Sequence, residues 1–95
     1  MEDSRIVELY WQKNADAIKE TDSKYGAYCF AIADNILHKK EDSEECVNDT
    51  WLNAWNAMPP QKPTKLQMFL AKITRNLSFN RFNARSAEKR GGGEV

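Results

Sequence analysis

Phe79 and Phe82 stand among cations, in a stretch that also holds Lys72, Arg75, Asn76, Arg81, Asn83 and Arg85. Aromatic faces stack on unpaired bases, and neighbouring cations hold phosphates, so this mixture suits a single-stranded nucleic acid. A second constellation is acidic: Asp42, Glu44, Glu45 and Asp49. Without histidine partners these carboxylates read as helix capping and a charged face rather than a metal site. His38, the one histidine, falls near the end of a helical pattern, where a helix-end or surface role outweighs that of a catalytic base. Cys29 and Cys46 fit no CxxC or Cys/His spacing. No Ser/His/Asp set and no phosphate-cradling glycine loop is present. The chain is therefore expected not to be an enzyme and to need neither metal nor cofactor.

Charge is divided along the chain. Residues 1–50 carry 12 acidic and 6 basic side chains, and residues 51–95 carry 2 and 8. A formal total of zero thus hides −6 and +6. The split suggests two partners of opposite character, a basic protein surface and a nucleic acid. Ninety-five residues make one small domain, and 41% hydrophobic content is enough for a core. No apolar run approaches the roughly 20 residues of a membrane span. Met1-Glu2-Asp3 is acidic where a signal peptide would be basic. The expectation is a cytoplasmic protein without membrane insertion, with both cysteines reduced and mostly buried.

The elements that must position these residues are helices. Pro59, Pro60 and Pro63 mark one break and Gly91-Gly92-Gly93 another. No run alternates apolar and polar residues, so the pattern predicts an all-α domain, a compact bundle of about four helices. The first runs from about Ser4 to Gln12, with Ile6, Leu9 and Tyr10 on one face. Asn14 caps the second, which reaches Leu37 with a stripe of Ile18, Tyr25, Cys29, Ile32 and Ile36. Asp42 starts the third and pairs with Glu45 as a capping box; it ends near Ala57. Thr64 and Gln67 form a similar box for the fourth, which runs to about Glu88. Residues 1–90 form the domain, and residues 91–95 begin a linker.

On the third helix, Val47, Thr50, Trp51, Ala54 and Met58 share the core side. Glu45, Asn48, Asp49, Leu52 and Asn56 lie opposite, with Trp55 at the border. An apolar centre with a charged rim suits a protein interface, and an ordinary solvated face with one leucine fits the pattern at least as well. On the fourth helix the core stripe is Leu66, Phe69, Leu70, Ile73, Leu77 and Ala84. Met68, Lys72, Arg75, Phe79 and Phe82 lie opposite, with Asn76 beside them. Either the phenylalanines await bases or they pack on the first helix; the pattern leaves both open.

Two runs carry a family resemblance. Asp42-Ser43-Glu44-Glu45-Cys46-Val47-Asn48-Asp49-Thr50-Trp51-Leu52-Asn53-Ala54-Trp55 resembles region 2.2 of sigma-70-type RNA polymerase sigma factors, especially the extracytoplasmic-function class. Phe69-Leu70-Ala71-Lys72-Ile73-Thr74-Arg75-Asn76-Leu77 resembles region 2.3 leading into 2.4. Their order, their spacing and the proline-containing loop between them are also similar, and the likeness covers about residues 4–90. The sequence departs from the common pattern at Ser43, Glu45, Cys46, Asn48 and Asp49, where Ala, Asp, Leu, Gln and Glu are usual. Asn80 stands where an Asp commonly follows the Arg-Asn-Leu motif.

The resemblance implies a sigma-2 fold whose region 2.2 helix docks on the clamp helices of the largest catalytic subunit of RNA polymerase core. That role would fall to Glu45, Asn48, Asp49, Leu52, Trp55 and Asn56, with Asp42 at the rim. It also implies recognition and melting of the promoter −10 element, with capture of the non-template strand. Matching positions are Lys72, Arg75, Asn76, Phe79, Arg81, Phe82, Asn83 and Arg85. Gln61, Lys62 and Lys65, in the loop before the fourth helix, would help to pocket an extruded base. An anti-sigma factor is a further implied partner, and the domain is expected to be a monomer. Region 4, which reads the −35 element, has no counterpart here, so the chain reads as an isolated domain or a fragment. The rival readings are a helical protein-interaction module that regulates transcription without touching DNA, and a small enzyme.

Overall fold

The computed structural model describes residues 1–86 in full and the backbone alone of residues 87–94. Four helices follow one another: α1 (Asp3–Trp11), α2 (Asp16–Leu37), α3 (Lys40–Ala57) and α4 (Leu66–Glu94). The described residues contain no strand, and the fold is the expected all-α bundle. α2, α3 and α4 pack on one another, and α1 lies chiefly against α2. α4 runs past the expected end near Glu88 to Glu94, so its backbone takes in residues 91–94 of the stretch expected to begin a linker, and Val95 lies outside the described residues.

Local chemistry sets the helix ends. α1 closes when the Lys13 N–H bonds the Tyr10 carbonyl and the Asn14 N–H bonds that of Leu9, each at 3.0 Å. This is the double bond of a Schellman turn, with Lys13 left-handed at φ 54°. The Asn14 Oδ1 then accepts the Asp16 N–H at 2.9 Å, so Asn14 caps α2 as expected. α2 ends at His38, exposed and also left-handed (φ 51°), whose N–H bonds the Asp34 carbonyl.

Two capping boxes do not form. α3 begins at Lys40 rather than Asp42, and its N-cap Lys39 makes no side-chain cap. Asp42 instead turns toward arginines on α4. α4 begins at Leu66 rather than Thr64, and the Lys65 carbonyl accepts the Phe69 N–H.

One core joins all four helices. Ile6, Val7 and Tyr10 of α1 meet Ala17, Tyr25 and Cys29 of α2, Val47, Trp51 and Ala54 of α3, and Leu66 and Leu70 of α4. Each large side chain fully buried there contributes about 1.5–3 kcal/mol. A smaller cluster holds Ala33, Leu37 and Cys46.

The buried lines are rotated from the expected ones. On α2 the line is Ala17, Thr21, Tyr25, Cys29, Ala33 and Leu37, while Ile18, Ile32 and Ile36 are only half-buried. On α4 it is Leu66, Leu70, Thr74 and Ser78, with Ala71; Phe69, Ile73 and Leu77 are half-buried and Ala84 is exposed. Both lines mix large apolar residues with small ones, and three of the small ones are hydroxyl-bearing: Thr21, Thr74 and Ser78. The buried hydroxyls are satisfied by carbonyls one turn back: Thr21 on Ala17, Thr50 on Cys46 and Ser78 on Thr74, each at 2.7 Å. Between helices, Tyr10 bonds Thr21 at 2.7 Å and Thr50 bonds Thr74 at 2.9 Å. Gly26 leaves room for the Asp22 side chain one turn back on α2. A Cβ there would sit 3.1 Å from Asp22 Oδ1, the atom that accepts the Trp51 Nε1–H at 3.2 Å.

Candidate functional site

α3 has one face in the core and one in water. Trp51 is 5% exposed and Leu52, the next residue, is 56% exposed. Glu45, Asn48 and Asn56 are exposed with Leu52, while Asp42, Asp49 and Trp55 are half-buried. Trp55 is held from behind by the Tyr10 ring, edge-on at 6.4 Å, and by the Lys13 ammonium 4.8 Å above its own ring. Lys13 also donates to the Trp55 and Met58 carbonyls, which close the end of α3. A cation at a helix C-terminus satisfies open carbonyls and suits the dipole.

The outward face of α4 gathers Met68, Lys72, Arg75, Asn76, Phe79, Phe82 and Asn83, all exposed. They fall within about 60° of one another's mean direction on a wheel of about 100° per residue. Phe79 is 47% and Phe82 40% exposed, so neither is packed away on α1. The Arg85 guanidinium lies 5.9 Å from the Phe82 ring.

Arg81 and Arg85 stand elsewhere. They lie within about 20° of buried Thr74 on the same wheel, and so continue the core side of α4. There they meet the acidic start of α3. Arg85 Nη1 is 2.9 Å from Asp42 Oδ2, and its Nη2 donates to the Leu37 carbonyl at 3.2 Å. Arg81 reaches Glu45 at 3.2 Å and Asp42 at 3.5 Å. Burial alone would push the Arg81 guanidinium down; the hydrogen bond and charge of Glu45, with the charge of Asp42, hold it above its ordinary value. Four of the residues singled out in the sequence thus contact one another across the bundle.

The loop between α3 and α4 splits its three candidates. Gln61 joins Asn53, Ala57, Lys72, Ile73 and Asn76 around a groove of about 290 Å³. Lys62 points the other way, 5.8 Å from the Trp11 ring of α1. Lys65 is exposed at the start of α4. The sequence reading missed Asn53 and Ala57 at the groove. Helical spacing from Asn53 and Ala57 alone shows no link to a loop that folds back. It also missed Trp11 and Lys13, whose partners lie 50 and 42 residues away in the chain.

Among the described residues no group of His, Cys, Asp or Glu is placed to hold a metal ion. Cys29 and Cys46 are buried free thiols, and burial raises Cys29 against a hydrogen bond with Thr74 that lowers it. No described helix is long and apolar enough to cross a membrane.

The family model for sigma-70 region 2 matches residues 23–88, from the body of α2 through α3 and into the last turns of α4. The chain belongs to the sigma-70 region 2 family, and is a sigma factor domain of transcription initiation. No curated protein and no solved structure matches it.

Proposed function

We propose that this domain joins RNA polymerase core through the outward face of α3 and holds the melted non-template strand of the −10 element on the outward face of α4. One observation carries the reading: Phe79 and Phe82 stay 47% and 40% exposed beside Lys72, Arg75 and Asn76, on a helix whose other side is core. Exposed aromatic rings with adjacent cations bind unstacked bases and their phosphates. The duplex pays a few kcal/mol to release a base, and stacking with groove contacts offsets it.

Lys72 and Arg75 would hold phosphates. Asn76 and Gln61, which share the 290 Å³ groove, would contact an extruded base. Phe79 would stack, with Phe82 and Asn83 further along the strand. Lys62 and Lys65 would add charge around the loop. Arg81 and Arg85 would contribute field rather than direct contacts while they remain paired with Asp42 and Glu45. On α3, Leu52 with Trp55 would be the apolar centre and Asn48, Asp49, Asn56, Glu45 and Asp42 its polar surround, facing the clamp helices of the largest subunit. The same face would suit an anti-sigma factor. This role places the domain in the cytoplasm and requires no bond-making chemistry.

The test is a titration of fluorescent single-stranded and duplex −10 oligonucleotides. The single strand should bind more tightly, and Phe79→Ala should weaken it by about 1–3 kcal/mol. Equal binding of both forms, unchanged in Phe79→Ala, would overturn the DNA role and leave a protein-interaction module.

A further inference from the structure

We infer that α1, which lies outside the span matched to the family, is a strut that sets where the α3–α4 loop holds Gln61, with Trp11 and Lys13 as its positioning residues. The inference rests on the proposed reading of the groove at Gln61. Both backbone polar groups of Gln61 are fastened. Its N–H donates to the Ala57 carbonyl at 2.9 Å, and its carbonyl accepts the Trp11 Nε1–H at 2.9 Å. The second bond comes from α1. It explains why a tryptophan 41% exposed to water points along the loop, with Lys62 over its ring.

Lys13 fastens the other end. Its left-handed backbone, φ 54°, is a position that glycine fills most easily, so a lysine there sits against its own backbone preference. The turn aims the ammonium back at the bundle. It reaches the Trp55 carbonyl and, at 3.1 Å, that of Met58, the residue from which the loop departs. Trp11 and Lys13 therefore hold the loop at both ends, from one short helix and the turn that closes it. Gln61 can face Asn53 and Asn76 across the groove only while that frame stays closed.

The experiment uses Trp11→Phe, which keeps a ring and removes the donor, and Lys13→Met, which keeps length and removes the charge. Lys13→Arg is the conservative control. Amide exchange at Gln61, followed by NMR in the whole chain, should quicken about fivefold in the Phe and Met variants, and stay near wild type in Lys13→Arg. Complexes of each variant with RNA polymerase core are then titrated with short single strands that differ at one base. Preference among bases should fall about fivefold in the first two variants, and core binding should hold in Trp11→Phe. Wild-type exchange at Gln61 in both variants would overturn the strut. So would variants that merely melt earlier and retain the wild-type base preference. If the wild-type complex itself shows no base preference, the proposed DNA role fails, and the exchange arm still decides the strut.

Discussion

At the scale of single residues, the interior of this domain depends on hydroxyls. Thr50 and Thr74 sit fully buried, 2.9 Å apart, and each also lies within hydrogen-bond reach of a carbonyl on its own helix. Two hydroxyl hydrogens serve three contacts, so either threonine can donate across the gap while the other turns back. Thr50→Val removes one member and leaves the other hydroxyl with a poorer partner set. It should destabilise the domain by about 1–2 kcal/mol, and Thr50→Val with Thr74→Val should cost less than the sum of the singles. Denaturant unfolding of the four proteins measures that coupling. Additive losses would mean that the two hydroxyls act independently.

At the scale of elements, two clasps fix the helices. The first binds α1 to α2. Asp3 accepts the Lys24 ammonium at 2.7 Å and the Tyr25 hydroxyl at 2.7 and 2.9 Å. Burial raises the Asp3 carboxyl, and the Lys24 and Tyr25 hydrogen bonds with the Lys24 charge outweigh it, so the net shift is downward. A depressed folded value adds stability that is present above the unfolded value and lost as pH falls through the folded one. The melting temperature should therefore fall below about pH 4, and Asp3→Asn should flatten that acid limb. On the alkaline side, burial and then Asp3 push Tyr25 up to about 12. That contribution is present below the ordinary tyrosine value and is lost as pH rises toward the folded one.

The second clasp joins α3 to α4 through Asp42, whose side chain is 18% exposed and holds Arg85 and Arg81. Asp42→Asn keeps the shape and removes the charge that both guanidiniums face. A loss of about 1 kcal/mol in unfolding free energy is expected, larger than for an exposed surface pair. No change would show that the arginines find water as readily as they find Asp42.

At the scale of the whole molecule, the charge split maps onto separate helix faces. The acidic half presents Glu45, Asn48, Asp49 and Leu52 on α3; the basic half presents Lys72 and Arg75 on α4. Asp49→Lys reverses a half-buried charge at the edge of the α3 face, and should weaken binding to polymerase core while the melting temperature stays near wild type. Binding to immobilised core, with circular dichroism as the folding control, checks this. Normal core binding would remove Asp49 from the interface. For DNA, contact with about four phosphates gives a fall in affinity as roughly the third power of salt, and Arg75→Ala should flatten that slope by about 0.7.

What the sequence by itself determined was local. Proline placed the break after α3, and helical spacing put Val47 and Trp51 inside and Leu52 outside, because a period of 3.6 residues is a property of neighbours in the chain. The same spacing set Phe79 with Lys72 and Arg75. The tertiary structure decided everything that joins distant segments. Thr21, Thr74 and Ser78 look like surface residues by polarity, yet they are buried, because the carbonyl one turn back satisfies each hydroxyl and removes the cost of leaving water. Arg81 and Arg85 look like DNA ligands by charge, yet their side of α4 faces Asp42, 39 and 43 residues earlier. The bond from Trp11 to the Gln61 carbonyl spans 50 residues. No local pattern encodes such a meeting, since it depends on the chain coming back to α1 after two further helices.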